Sequence, residues 1–394
     1  MNARMMRHES KIRRKIQNHS KPKQKCNAES SASPLLIFML ISVLSGCALR
    51  PGDTGTAQEH TDHTNFVDSI AHLNNEGYLK KGASAPCSVT EYIRASELIS
   101  EDDSSITAVE TAKPNPYPEL SVPTYLEKVD DTYFLVDCYH NQVIYHDNLN
   151  DPLSEWTVMT DEIDKGHTLA SDGTVYLIDD TERNRILVFE KMDDTYIHTQ
   201  TFSDIGDRPH YVIYDEPTDT FYAWSSMSGE MYLFRHNADD SRMYLTEIRR
   251  IESLNHIYVR SFTIIGNEIY FVSGNASILR ADLDSFEILE TYPVPDCMAG
   301  MIQLTLIQDY FYITVSTDIT GNQDYATILR TQDLSSLAEG GYEDIYHYFI
   351  GGGTPYYITE LNNTFYLTEH RLPGHSLWSF QVNNNEIINI EPVY

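Results

Sequence analysis

Positive charge is scarce in this chain of 394 residues. Its 28 Lys and Arg stand against 58 Asp and Glu, for a formal net charge of −30. A surface of that sign repels nucleic acid phosphates and anionic headgroups, which argues against nucleic acid as a partner. Cysteine is scarce too: there are five, none in a Cys-x-x-Cys pair, so neither a zinc ribbon nor a thioredoxin-like motif is present. No apolar run is long enough to span a bilayer as a helix, which needs ~20 residues. There is also no Gly-x-Ser-x-Gly elbow, His-Glu-x-x-His, P-loop or dinucleotide fingerprint. No motif therefore names a reaction.

What is present begins at the N-terminus. Nine basic residues from Arg4 to Lys25 precede an apolar stretch, Leu35–Leu44, which ends at Leu44-Ser45-Gly46-Cys47. A basic segment, a short apolar segment and small residues before a cut form the signal-peptide pattern. The Leu-Ser-Gly-Cys ending resembles the lipobox of bacterial lipoproteins, in which the cysteine is lipidated and becomes the mature N-terminus. The resemblance implies cleavage after residue 46, a lipid anchor such as palmitate on Cys47, and a membrane-bound, extracytoplasmic protein. Two acyl chains make such anchoring stable without a spanning helix. Residues 1–46 hold nine of the basic and two of the acidic residues, so the remainder carries 19 against 56, a net charge of −37.

Residues 47–121 read as a tether. Residues 48–82 are rich in Gly, Thr, Asp, Asn and His, as a flexible spacer requires. Glu59-His60-Thr61-Asp62-His63 groups metal-binding side chain types, although a polar spacer seldom fixes ligand geometry. Residues 88–100 have the spacing of one amphipathic helix, and the prolines up to Pro123 then form a stiff linker. Cys87, Cys138 and Cys297 are three in number and widely spaced. They are expected to pack as small buried side chains or to react weakly.

From residue 122 to 394 short strands rich in Tyr, Phe, Val, Ile and Thr alternate with polar turns. An aromatic-led strand, a turn and a second apolar strand recur at 133–147, 175–191, 221–236, 269–283, 311–331 and 365–381, at intervals of 42 to 54 residues. A strand before and a strand after each copy give four per unit. Six such units predict an all-β fold, a six-bladed β-propeller of four-stranded antiparallel blades over 122–394, since stacked blades bury faces that none can cover alone. Tyr176–Asp179 with Asn184-Arg185-Ile186, and Phe134–Asp137 with Asn141-Gln142-Val143, resemble the NHL repeat, which carries the same implication for the fold. Closure by a strand from residues 104–109 is left open.

Ligands of propellers bind where the innermost strands begin. Counting back nine residues from the aromatic that opens each second strand, with allowance for a longer third turn, gives Tyr125, His167, His210, Ser261, Gln303 and Tyr357. Arg260 and His256 lie close to Ser261, and the inferred ring is Tyr125, His167, His210, Arg260, Gln303 and Tyr357. These are hydrogen-bonding and aromatic groups, suited to a small molecule, a glycan or a protein segment. His167 and His210 could also share a divalent metal with a third ligand, or act as base and electrophile beside Arg260 in a lyase or hydrolase. They could equally bond to backbone and water in a wet channel, or the propeller could serve as a scaffold in an envelope complex. Arg208 precedes Pro209, which predicts extended backbone and a shared side for Arg208 and His210. Gly351–Gly353 has no phosphate-loop spacing and is expected to free the backbone for a tight turn between blades.

Overall fold

A computed structural model of the chain describes residues 113–237, 240–319, 324–349, 353–370 and 374–394. Cys47, Cys87, the tether motif at 59–63, the 88–100 helix and the 104–109 strand lie outside the described residues. Among those described, no helix is long and apolar enough to cross a membrane.

The described residues form six antiparallel sheets, each built from strands consecutive in sequence. Blade one is β1 to β5 (Lys113–Pro114, Pro123–Val129, Thr132–Asp137, Gln142–His146, Thr157–Thr160), with β1 added to the outer edge of β5. Blade two is β6 to β9 (Leu169–Ser171, Val175–Asp180, Arg185–Met192, Thr195–Phe202). Blade three is β10 to β13 (Pro209–Asp215, Thr220–Ser225, Glu230–Asn237, Asp240–Arg250). Blade four is β14 to β17 (Val259–Ile265, Glu268–Ser273, Ser277–Asp282, Ile288–Pro293). Blade five is β18 to β21 (Gly300–Ile307, Tyr310–Thr317, Asp324–Thr331, Glu343–Asp344). Blade six is β22 to β25 (Thr354–Leu361, Thr364–His370, Leu377–Asn383, Glu386–Pro392). This is the expected six-bladed propeller.

Local chemistry explains each blade. The Asp of the repeat ties the entry of its own blade, and the Asn ties that blade to the entry of the next. Asp137 accepts from Ser121 N (2.7 Å) and Asp180 from Asp164 N (2.8 Å), so Asp180, not Asp179, is the counterpart of Asp137. Asn141 and Asn184 sit in the left-handed region after a short 3-10 turn, which Asn tolerates. Their side chains accept from Lys165 N and Arg208 N, each the residue that leads into the next inner strand. In blade three Ser225 takes the aspartate's part, accepting from Asp207 N (2.7 Å).

Between blades the faces are apolar. Val175, Leu177, Val188 and Phe202 of blade two pack with Val212, Phe221, Tyr232 and Phe234 of blade three. Fully burying one such side chain contributes about 1.5–3 kcal/mol. A polar seam around the inner strands adds direction. Thr124 Oγ1 donates to His167 O (2.8 Å), Thr168 Oγ1 accepts from Val212 N (2.8 Å), and Trp224 Nε1 donates to Val259 O (3.1 Å). Ser261 Oγ donates to Ile302 O (2.6 Å), Thr314 Oγ1 to Tyr356 O (2.7 Å) and Thr368 Oγ1 to Thr124 O (2.8 Å). Six blade junctions are thereby each crossed by at least one hydrogen bond.

Among the described residues blade six takes all four of its strands from the C-terminal segment, and its contacts with blade one involve side chains. Leu361 and Leu377 of blade six pack with Leu126, Leu135, Ile144 and Trp156 of blade one. The Tyr394 hydroxyl accepts from Trp156 Nε1 (3.0 Å) and lies 2.6 and 2.5 Å from the carbonyl oxygens of Leu149 and Asp151.

The cysteines divide. Cys138 is buried and free, and burial pushes its thiol up to about 12, so it is unreactive, as expected. Cys297 departs from that expectation: it is disulfide-bonded, to a partner outside the described residues.

Candidate functional site

Strand register shows how the inner strands present their side chains. Five of the six inner strands break register just after they begin, between Pro123 and Tyr125, Pro209 and Tyr211, Val259 and Phe262, Met301 and Gln303, and Pro355 and Ile358. The sixth, β6, pairs only from Leu169. Bulges of this kind re-aim side chains and recur near functional sites.

Aligned on these breaks, the counted ring does not lie in one layer. His167, His210 and Arg260 hold equivalent positions in blades two, three and four. Thr124, Met301 and Tyr356 complete that layer. Tyr125 and Tyr357 belong one residue further on, with Tyr211, and Gln303 two further on. The bulge adds residues whose number a fixed count cannot anticipate.

The two histidines come together. Their rings stack at 3.8 Å between centroids with 19° between planes. The Tyr356 hydroxyl is 3.1 Å from His167 Nδ1, and its ring is nearly parallel to His167 (12°). His210 meets the Tyr258 hydroxyl at Nε2 (3.0 Å) and the Tyr357 hydroxyl at Nδ1 (3.4 Å). His167 is 8% exposed and His210 1%, so the axis is packed here and not a wet channel. Tyr357 in turn contacts Tyr125 and Tyr211 at 5.9 and 5.0 Å. Gln303 does not reach the histidines. Its amide pairs with the backbone of Ile358 (3.0 and 2.7 Å) and ties blade five to blade six.

Burial holds both imidazoles neutral. It is the first cause of the depression of His167 to about 3, with Arg208, Arg260 and Lys165 adding to it. His210 lies well below its ordinary value, again through burial first, then His167, Arg260 and Arg208. Below these groups Asp179 anchors the loop that carries His167. Its carboxylate accepts from His167 N (2.9 Å), Thr168 N (2.6 Å), Thr168 Oγ1 (2.8 Å) and Thr181 Oγ1 (2.9 Å).

Cations rim the histidines. Lys165 and Arg208 hold equivalent left-handed positions, φ 57° and 62°, at the entries to blades two and three. The expectation of extended backbone at Arg208 is therefore corrected. The tight entry turn, held by Arg208 N on Asn184 and by Ser226 N on Arg208 O, overrides the steric preference of a residue before proline. Arg208 pairs with Glu182 (2.7 Å) and also interacts with Tyr258, whose hydroxyl meets His210. Arg260 lies over the Tyr258 ring at 4.6 Å and donates to Met301 O (3.3 Å). Gly351 and Gly352 lie outside the described residues, and a Cβ at Gly353 would overlap the Glu369 carboxylate.

This arrangement does not suit a metal held by His167 and His210. Stacked, nearly parallel rings direct their in-plane lone pairs side by side and not toward one point, and the Nδ1 atoms already meet tyrosine hydroxyls. Among the described residues the side chains that do converge, within 4.8 Å, are His146, Asp151 and Glu155 near the outer edge of blade one. Sequence reasoning missed Tyr258, Tyr211 and Tyr356; the adjacent pair Tyr356-Tyr357 was the available signal.

No protein-family model matches the chain, and no curated protein matches it. Solved structures do. A provisionally assigned 6-phosphogluconolactonase of Bacteroides fragilis is similar at 13% identity, with a TM-score of 0.50 over 68% of this chain and 83% of that one. A provisionally assigned 6-phosphogluconolactonase of Bacteroides uniformis gives 13% identity and a TM-score of 0.47 over 67% and 82%. The WD40 propeller domain of Doa1 gives 11% and 0.43 over 70% and 86%. At these identities the likeness concerns the propeller fold alone.

Proposed function

We propose that this chain is an extracytoplasmic, lipid-anchored bacterial protein whose NHL-like propeller recognises a ligand at the axial mouth formed by blades two to four. The observation that carries the binding role is the pair of neutral, tyrosine-held imidazoles beneath Arg208, Arg260 and Tyr258. A rigid floor of hydrogen-bonding rings under half-buried cations suits recognition. It offers no strongly basic imidazole, and a general base works best with a pKa near the operating pH. The anchor is supported by Leu44-Ser45-Gly46-Cys47, and an oxidising compartment by the disulfide at Cys297.

One pair of variants tests both parts. In a bacterial host, Cys47→Ala should abolish incorporation of labelled palmitate and release the protein from membranes. In a soluble form starting at residue 48, His167→Ala with His210→Ala should remove binding to saccharide and peptide libraries while circular dichroism stays that of β-sheet. Retained membrane anchorage in the first, or unchanged binding in the second, would count against the corresponding part.

A further inference from the structure

Three cations stand close to the histidine pair. In a chain of net charge −30, Lys165, Arg208 and Arg260 stand on three successive blades around one pair of histidines. Their states differ. Arg208 is already neutralised by Glu182 at 2.7 Å. Lys165 sits 4.2 Å over the Tyr139 ring. Arg260 makes one long hydrogen bond, to Met301 O, and forms no ion pair among the described residues. A guanidinium has five N–H donors in a planar fork, so most of its hydrogen-bonding capacity is unspent. Its stacking on Tyr258 holds that fork in a fixed plane. Low-dielectric walls around it strengthen its attraction for an anion.

Resting on the reading that the mouth binds a ligand, we propose that the ligand is an organic carboxylate. Arg260 takes the carboxylate with its guanidinium fork, and the ligand's body lies against Tyr258 and the edge of the His167–His210 pair. Of the two cations that form no ion pair among the described residues, Lys165 lies over the Tyr139 ring and Arg260 alone offers a planar fork. A planar fork matches a planar carboxylate, since two parallel N–H···O bonds form at once. The imidazoles, held neutral on tyrosine hydroxyls, form a fixed wall and add no further charge.

The test is calorimetric titration of the soluble form starting at residue 48 with sodium D-glucuronate, sodium acetate, inorganic phosphate and D-glucose, at ionic strength held constant with chloride. Glucuronate is expected to bind, and acetate to bind more weakly. Arg260→Ala should weaken glucuronate roughly tenfold or more, with Arg260→Lys in between because it keeps the charge and loses the fork. Arg280→Ala, in the same blade but tied to Glu268 and Glu290, should bind like the wild type. Failure of both carboxylates to bind, or binding indifferent to Arg260→Ala, overturns the proposal, as does phosphate binding more tightly than either. If carboxylates fail while D-glucose binds and is lost with the two histidines, the mouth remains a ligand site and only its ligand class was misjudged. If nothing binds here and the library screen is equally blank, the binding reading falls with it.

Discussion

Trp156→Ala is expected to destabilise the propeller by about 3–5 kcal/mol, a cost typical of removing a fully buried Trp. In a domain of this size that corresponds to a fall in Tm of about 10 °C. Trp156 is wholly buried at the junction of blades one and six, where no strand is exchanged among the described residues. The ring is held there by Leu361 and Leu377 against blade one, by Thr368 on Thr124 O, and by Tyr394. Removal of Val393 and Tyr394 should act on the same contact. Val393 N and Leu377 N bond within blade six, to Leu377 O (2.7 Å) and Tyr394 O (3.1 Å), and seat the C-terminus, whose Tyr394 hydroxyl meets Trp156 and two blade-one carbonyls. The two changes share one contact, so their combined cost should fall short of the sum. Scanning calorimetry checks this. A truncated protein that melts at the wild-type temperature would mean that closure resides elsewhere.

Asp179→Ala should be as costly, about 3–5 kcal/mol, because it strands two backbone N–H groups and the Thr168 hydroxyl in the interior, while Thr181 Oγ1 keeps Pro209 O. Since His167 N is one of those donors, the loss should also disturb the histidine pair. Asp179→Asn separates the charge from the shape. Burial raises the Asp179 carboxyl from 3.8 to about 6, against the pull of its four donors. A carboxyl raised in the folded state favours folding fully below its unfolded value near 3.9, and that contribution is lost as pH rises through about 6. The stability of wild type relative to Asp179→Asn should therefore decline between pH 4 and pH 6, by up to about 3 kcal/mol. Urea unfolding across that range measures it. A difference that instead grows with pH would mean that the donors outweigh burial.

The number of blades and their make-up were legible because the repeat has a period and a composition. Aromatic-led strands recur whatever the intervening loops do, with the Asp and Asn turn residues in blades one and two. The layer of the site was only half legible. His167, His210 and Arg260 fell in one layer, while Tyr125 was taken for Thr124, Tyr357 for Tyr356 and Gln303 for Met301. The cause is the bulge in the inner strands, which no residue type announces. Arg208 illustrates a second limit. Its local preference before Pro209 is extended, yet hydrogen bonds from Asn184 and Ser226, distant in sequence, hold it left-handed. The latch at Tyr394 was hidden for the same reason, its partners lying more than 230 residues away.

The central claim is that His167 and His210 are a neutral, uncoordinated floor of a binding site. Long-range proton–nitrogen correlation spectra of the histidine rings, recorded on the soluble form starting at residue 48 and assigned with the single alanine variants, test it directly. Two imidazoles whose nitrogen shifts stay those of neutral rings from pH 8 down to pH 5 are expected. Titration of either ring between pH 6 and pH 7, or shifts characteristic of metal-bound nitrogen, would contradict it and return the site to acid–base or metal chemistry.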